Sequence, residues 1–302
     1  MINNLFDQSQ AASNMLKVFA CLDIKHPIVA WGAYRGVLVS AVADFSQEGC
    51  PVSMMLAEML RTENGSRLKN ELEIERIRQM SFPSLPSRLT AMYFFESSTD
   101  IERVSNWGPH FRREYCAELN LYPTDSVSRH DSNWITNAKL DSSGHIVDTD
   151  WIPAYWKGEP FQGDEPIWEL LAHGRAVILS TKLRQRAYET IKRDSPLAVS
   201  ILEVSRIAAL LESDLGQAKA FLIDNANGTA SINFYLDMRD AENSNFLARV
   251  RDYEGPKNYE DLALGGNVFY LPYLPDSRWC SSTFRIDEPL VKTFLNGIHR
   301  KT

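Results

Sequence analysis

The sequence predicts an α+β fold, on three observations. A charged helical pattern over residues 51–80 stops at the punctuation Phe82-Pro-Ser-Leu-Pro-Ser87. Apolar and alternating runs then follow at Arg88–Phe95, at Phe111–Leu121 and on both sides of His173-Gly174. From Ser195-Pro196 an amphipathic helix runs to about Glu212, and strand-like runs alternate with polar turns beyond it.

In chain order, residues 14–45 mix short apolar runs with Pro27, Gly32 and Gly36, which fits strands or short helices equally. Met54–Leu60 gives a first helix, Asn64-Gly65 breaks it, and Leu68–Met80 gives a second. In the second, Leu68, Leu72, Ile74 and Ile77 share a face, and Lys69, Glu71, Glu73, Glu75 and Arg76 read as solvated charge. Arg88–Phe95 reads as a strand, and Thr99 with Glu102 forms a capping box opening a helix through Asn106. In Phe111–Leu121, Tyr115, Ala117 and Leu119 alternate with charged residues as in a half-buried strand. A polar stretch from Pro123 to Asp150 is anchored by Trp134 and Trp151. Ser195 is expected to cap its helix, with proline in the first turn. Strand-like runs at Ala220–Ile223, Ser231–Leu236 and Asn267–Leu271 and a final helix from Asp287 to about Gly297 complete the chain. The expected organisation is a mainly helical segment over 1–80, a core over 81–185 and an α+β extension over 186–302, with a boundary between Lys182 and Ser195.

The chemistry is narrowed first by what the chain lacks. Its net charge of −7 argues against a protein that coats nucleic acid, so nucleic-acid contact would need a local patch. Four scattered cysteines, with no CxxC, predict a reducing compartment. The polar N-terminus and the lack of any apolar run near ~20 residues predict a cytoplasmic protein with no membrane partner. The six histidines form no HExxH or His-x-His pattern, so no metal is expected. There is no GxSxG, GxxxxGK[ST] or GxGxxG motif. That leaves Pro86-Ser-Arg88, Tyr155-Trp156 with Gly158, and Glu169 inside Pro166-Ile-Trp-Glu-Leu-Leu. An acid within so apolar a run either points outward from a half-buried strand or faces a cleft where positive charge is stabilised.

PSRLTAMYFF, AYWKGE and PIWELLAHGRAVI, in that order over about Glu71–Leu179, resemble the bacterial ADP-ribosyltransferase-like toxin domains of DUF2441 type, which are related to DarT-type and CmdT-type phage-defence enzymes. The resemblance implies a split mixed β-sheet core. It also implies an NAD-dependent ADP-ribosyltransferase, a toxin or phage-defence effector, with NAD as co-substrate. Cleaving the bond from nicotinamide to ribose passes through an oxocarbenium-like state, as in glycoside cleavage. A carboxylate must stabilise that charge, a cation must hold the dinucleotide, and an aromatic wall must orient the nicotinamide. Glu169 is thereby the expected catalytic residue, facing Arg88 across a dinucleotide-sized pocket, and Arg88, Tyr155, Tyr93 and Trp156 are the expected cofactor contacts.

The loop Lys157–Trp168 suggests acceptor contacts at Phe161 and Gln162, with Asp164 and Glu165 nearby, although an ordinary acidic turn reads equally well. Position 167 is isoleucine where enzymes that modify protein arginine carry a second glutamate, which weakens that target class. The basic run Lys182, Arg184, Arg186, Lys192 and Arg193 suits single-stranded nucleic acid, with Arg184 and Arg186 as expected contacts. The acceptor expected from the resemblance is therefore an RNA or DNA base, and an antitoxin partner would dock on the C-terminal third. The alternatives are transfer to a protein and a non-catalytic nucleotide-binding module of the same fold.

Overall fold

The computed structural model describes residues 15–41, 50–61, 65–108, 110–225 and 229–256, together with the backbone of 283–285. The expected strand Asn267–Leu271 and the final helix from Asp287 lie outside the described residues, as does the N-terminal segment 1–14. The strands are β1 (Leu16–Cys21), β2 (Val37–Val39), β3 (Cys50–Val52), β4 (Met92–Phe95), β5 (Cys116–Pro123), β6 (Ser128–Asp131), β7 (Trp168–Ala172), β8 (Gly174–Ile178), β9 (Ala218–Asp224), β10 (Thr229–Leu236) and β11 (Thr283–Arg285). The chain divides into two compact units, one of Met1–Cys21, Val39–Val42 and Asn64–Leu179, the other of Leu22–Leu38, Ala43–Glu63 and Ser180–Thr302.

In the first unit, β4, β7 and β6 form one antiparallel ladder, with Phe95 opposite Glu169 and Glu169 opposite His130. β1, β5 and β8 form a second, running from Leu16 opposite Leu121 to Cys21 opposite Cys116 and from Leu119 opposite Ile178 to Pro123 opposite Gly174. The ladders join where Phe19 of β1 meets Phe95 of β4. These pairings are all antiparallel, which corrects the expectation of a mixed sheet.

Only His173 separates β7 from β8, yet β4, β1 and β5 lie between them in the strand order. Laid flat at about 4.8 Å per strand, those two strands would be roughly 19 Å apart. Two peptide steps reach only about 7 Å. The sheet must therefore fold into two leaves at this corner. Gly174 makes the corner possible, because its φ is +137° and an added Cβ would collide with the Tyr122 carbonyl oxygen. One leaf packs through Leu171 and Ala91 against Ile74, Ile152, Tyr155 and Trp156, and Phe95 packs with Ile101, Val104 and Ile167.

The second unit carries helices Pro27–Arg35, Met54–Arg61, Thr181–Asp194 and Val199–Leu210 and the sheet β11-β10-β9-β3. Trp31 Nε1 donates to the Gly216 carbonyl at 2.7 Å. Buried Glu203 accepts from the Tyr34 hydroxyl at 2.5 Å and from both ends of the Arg206 guanidinium.

Several local expectations change. Residues 50–52 are a strand, not the start of a helix. Arg88 precedes its strand, which begins at Met92, because Ser87–Ala91 closes a turn through Thr90 and Ala91 N–H bonds to the Ser87 carbonyl. Ser97, not Thr99, caps the following helix, which ends at Arg103. Phe111–Leu121 opens with a 3-10 turn at Arg113–Tyr115, and the strand starts at Cys116. Ser195 offers no side-chain cap: a 3-10 turn over Pro196–Ala198 precedes the helix Val199–Leu210. The stretch 182–194 is helical, capped by the Ser180 side chain on Leu183 N–H.

Candidate active site

Within the first unit, four chain segments deliver one buried polar cluster. The helix Gly65–Ser81 brings Glu71, the turn ahead of β4 brings Arg88, the short helix Ile152–Trp156 brings Tyr155, and β7 brings Glu169. Their exposures are 2%, 4%, 0% and 8%. Arg88 Nε and Nη2 donate to the two Glu71 oxygens at 2.8 and 3.1 Å. Arg88 Nη1 reaches Glu169 Oε1 at 2.6 Å and the Tyr155 hydroxyl at 2.7 Å. That hydroxyl in turn donates to Glu169 Oε1 at 2.7 Å. The bonds described for Glu169 use Oε1, and its side chain keeps 10% of its surface accessible.

Glu169 therefore faces Arg88, as expected, but the two touch where an intervening pocket was expected. Glu169 also points inward, which removes the reading of an outward acid on a half-buried strand. Burial disfavours the charged guanidinium, yet Glu169 and Glu71 outweigh it and hold Arg88 well above the ordinary arginine value. Burial pushes the Tyr155 phenol well above its usual value, against the opposing charge of Arg88 and with a smaller contribution from Glu169, so it remains a donor. The cluster carries a formal charge of −1, from one guanidinium and two carboxylates. A net negative buried centre suits a developing cation.

Tyr93 closes the cluster from β4. Its ring lies 5.0 Å from the Arg88 guanidinium and its hydroxyl donates to the Arg88 carbonyl at 2.5 Å. Trp156 is a core residue, buried, with Nε1 donating to the Ile74 carbonyl at 3.0 Å. His130 stacks on Tyr155 with centroids 4.6 Å apart, and its ring nitrogens meet the Tyr155 carbonyl and the Ser128 hydroxyl, each at 2.8 Å. Burial drives the His130 imidazole down to about 4, opposed by its bond to the Tyr155 carbonyl.

The loop leading to Glu169 is tied down by a residue the sequence reading passed over. Buried Asp131 accepts three backbone N–H groups, from Phe161 at 2.8 Å and from Asn133 and Ile167 at 3.0 Å. Asn133 Nδ2 and Arg103 reach the Glu165 carbonyl, and Arg103 also reaches that of Pro166. Gly158 turns the chain with φ +72°, and a Cβ there would stand 2.7 Å from the Arg129 carbonyl oxygen. Phe161 packs edge-on against Trp134 at 5.1 Å, and Gln162 is exposed.

Glu71 and Glu75 correct the reading of a solvated helix face, since both are buried. Glu75 takes Arg78 in a two-point pair at 2.8 and 3.0 Å and the Ser87 hydroxyl at 2.9 Å. Arg78 also donates to the carbonyls of Pro83 and Leu85, so it braces the turn that presents Arg88. The available signal was Glu71, Glu75 and Arg78 at helical spacing on one side of the helix.

Arg184 and Arg186 belong to the second unit. Arg184 is half-buried, and its guanidinium donates to the Tyr34 carbonyl at 3.2 and 3.4 Å. Lys182, Lys192 and Arg193 are exposed, and Arg193 pairs with Asp194. Among the described residues no group of His, Cys, Asp and Glu is placed to hold a metal ion. No helix among them is long and apolar enough to cross a membrane.

The family described as a protein of unknown function (DUF2441) matches residues 39–190, just over half of the chain, and that span contains all four members of the buried cluster. No curated protein matches the chain.

Proposed function

The chain belongs to the DUF2441 family, and on that premise we propose that it is an NAD-dependent ADP-ribosyltransferase whose catalytic carboxylate is Glu169. The observation that carries the reading is the meeting of Glu169 Oε1 with Arg88 and Tyr155 at 2.6 and 2.7 Å, on a sheet folded into two leaves. Glu169, fixed by those donors, stabilises positive charge at the ribose carbon as its bond to nicotinamide breaks and the electron pair leaves with nicotinamide. An acceptor nitrogen or oxygen bonds to that carbon and gives up its proton. A pyrophosphate reaches Arg88 only by displacing a carboxylate, so Arg88 acts chiefly by holding Glu169 in place.

The acceptor in this proposal is a nucleic-acid base, supported by the half-buried ring of Phe161 in the loop that leads to Glu169. Uncontrolled transfer would harm the host, so a toxin or defence effector held by an antitoxin in the cytoplasm fits the same reading. A second reading has its own support. The near-complete burial of the cluster suits a non-catalytic module in which Glu169 is structural.

Labelled NAD separates these readings. The full chain is incubated with a mixture of RNA, single-stranded DNA and protein, and the products are digested with nuclease or protease. Nuclease-sensitive label, reduced in Glu169→Gln by roughly 10²–10³-fold, is expected. Protease-sensitive label would move the acceptor to protein. No turnover by the parent, or equal turnover by the variant, would defeat the enzyme reading.

A further inference from the structure

Cys21 ends β1 and Cys116 begins β5, and the register sets them directly opposite each other across the antiparallel ladder. Opposed residues in such a ladder have Cα atoms about 4.5 or 5.5 Å apart. A disulfide spans Cα separations of roughly 4.4–6.8 Å, so the spacing of opposed residues falls within its range. Both residues are half-buried free thiols within the first unit, beside the ring cluster of Phe19, Phe95, Trp107 and Phe111. We propose that Cys21 and Cys116 form a reversible dithiol site that is oxidised by a low-molecular-weight disulfide to a cross-strand bond. This is independent of the proposed transferase activity.

The exchange balances in two steps. The Cys116 thiolate attacks one sulfur of the small disulfide, forming a mixed disulfide and releasing one small thiolate. The Cys21 thiolate then attacks Cys116 Sγ, forming the Cys21–Cys116 bond and releasing the second. Two protein thiols are oxidised, one small disulfide is reduced to two thiols, and the two protein protons pass to solvent or to those thiolates. Burial raises both thiols, Cys21 to about 12 with Cys116 adding to it, whereas Arg113 favours the Cys116 thiolate, so Cys116 is the first nucleophile. The bond would pin the ladder two residues from Phe19, where the two leaves of the sheet join.

The full chain is treated with glutathione disulfide, alkylated without reduction and mapped by peptide mass spectrometry. The expected result is a single cross-linked peptide pair containing Cys21 and Cys116, reversed by dithiothreitol, with both residues lost from the alkylated pool. Cys21→Ser should stop at a glutathione adduct on Cys116. The proposal is overturned if Cys21 and Cys116 of the parent stay fully alkylatable, or if either pairs instead with Cys50, Cys280 or another chain.

Discussion

Arg88 and Glu71 meet in a two-point ion pair, Nε to Oε2 at 2.8 Å and Nη2 to Oε1 at 3.1 Å, with both side chains almost wholly buried. The pair fixes the plane of the guanidinium, and the remaining nitrogen then has one direction to point, at Glu169 and Tyr155. Glu71 thus acts on Glu169 through Arg88, as a positioning residue on a helix far from β7 in sequence.

Breaking that pair from either side should be costly. Arg88→Ala leaves two buried carboxylates without the guanidinium they share, and a loss of about 3–5 kcal/mol in urea unfolding is expected. Arg88→Lys restores the charge without the planar fork and should recover only part of it. A loss below about 1 kcal/mol for Arg88→Ala would mean that the cluster is solvated and the pair is weak.

Asp131 should control the loop before Glu169. Asp131→Ala strands three backbone N–H groups, at about 1–3 kcal/mol for each left unsatisfied. Amide exchange should accelerate at Phe161 and Ile167 and stay unchanged in β5. Equal protection in both proteins would show that the loop is held by its other contacts.

His130 gives the fold an acid-sensitive step. Its folded value, about 4, lies below its ordinary 6.5, so between these values the unfolded chain binds a proton that the folded chain does not. Stability is therefore complete above pH 6.5 and falls as the pH drops toward about 4, by up to about 3 kcal/mol for this one group. His173 is lowered too, chiefly by burial, and adds a loss of the same sign. Unfolding measured across this range should show a smaller slope in His130→Gln, with the His173 share remaining. An unaltered slope would assign the whole acid effect elsewhere.

Gly158→Ala tests the turn that opens the same loop. The left-handed φ and the carbonyl contact together should cost about 1–3 kcal/mol. Thermal unfolding reads this directly, and an unchanged midpoint would mean that the turn relaxes freely.

The sequence by itself determined most of the elements and the residue types at the centre. Periodicity located the helix before Pro83, the alternation of Ala117 and Leu119 though not the turn that holds Tyr115, and the two strands about His173, because each depends on neighbours a few residues away. It also singled out Glu169, since a charge beside so many apolar residues needs a partner when buried, and the resemblance added Arg88 and Tyr155. Only the tertiary structure decided that Glu169 and Arg88 touch directly and that Glu71 shares the same guanidinium. Glu71 looked solvated because helical charge usually is, and its burial depends on Arg88 arriving from another segment. Asp131 was silent for the same reason, as its three donors lie in two separate stretches of chain. The fold of the sheet at Gly174 likewise follows from a strand order that no local pattern encodes.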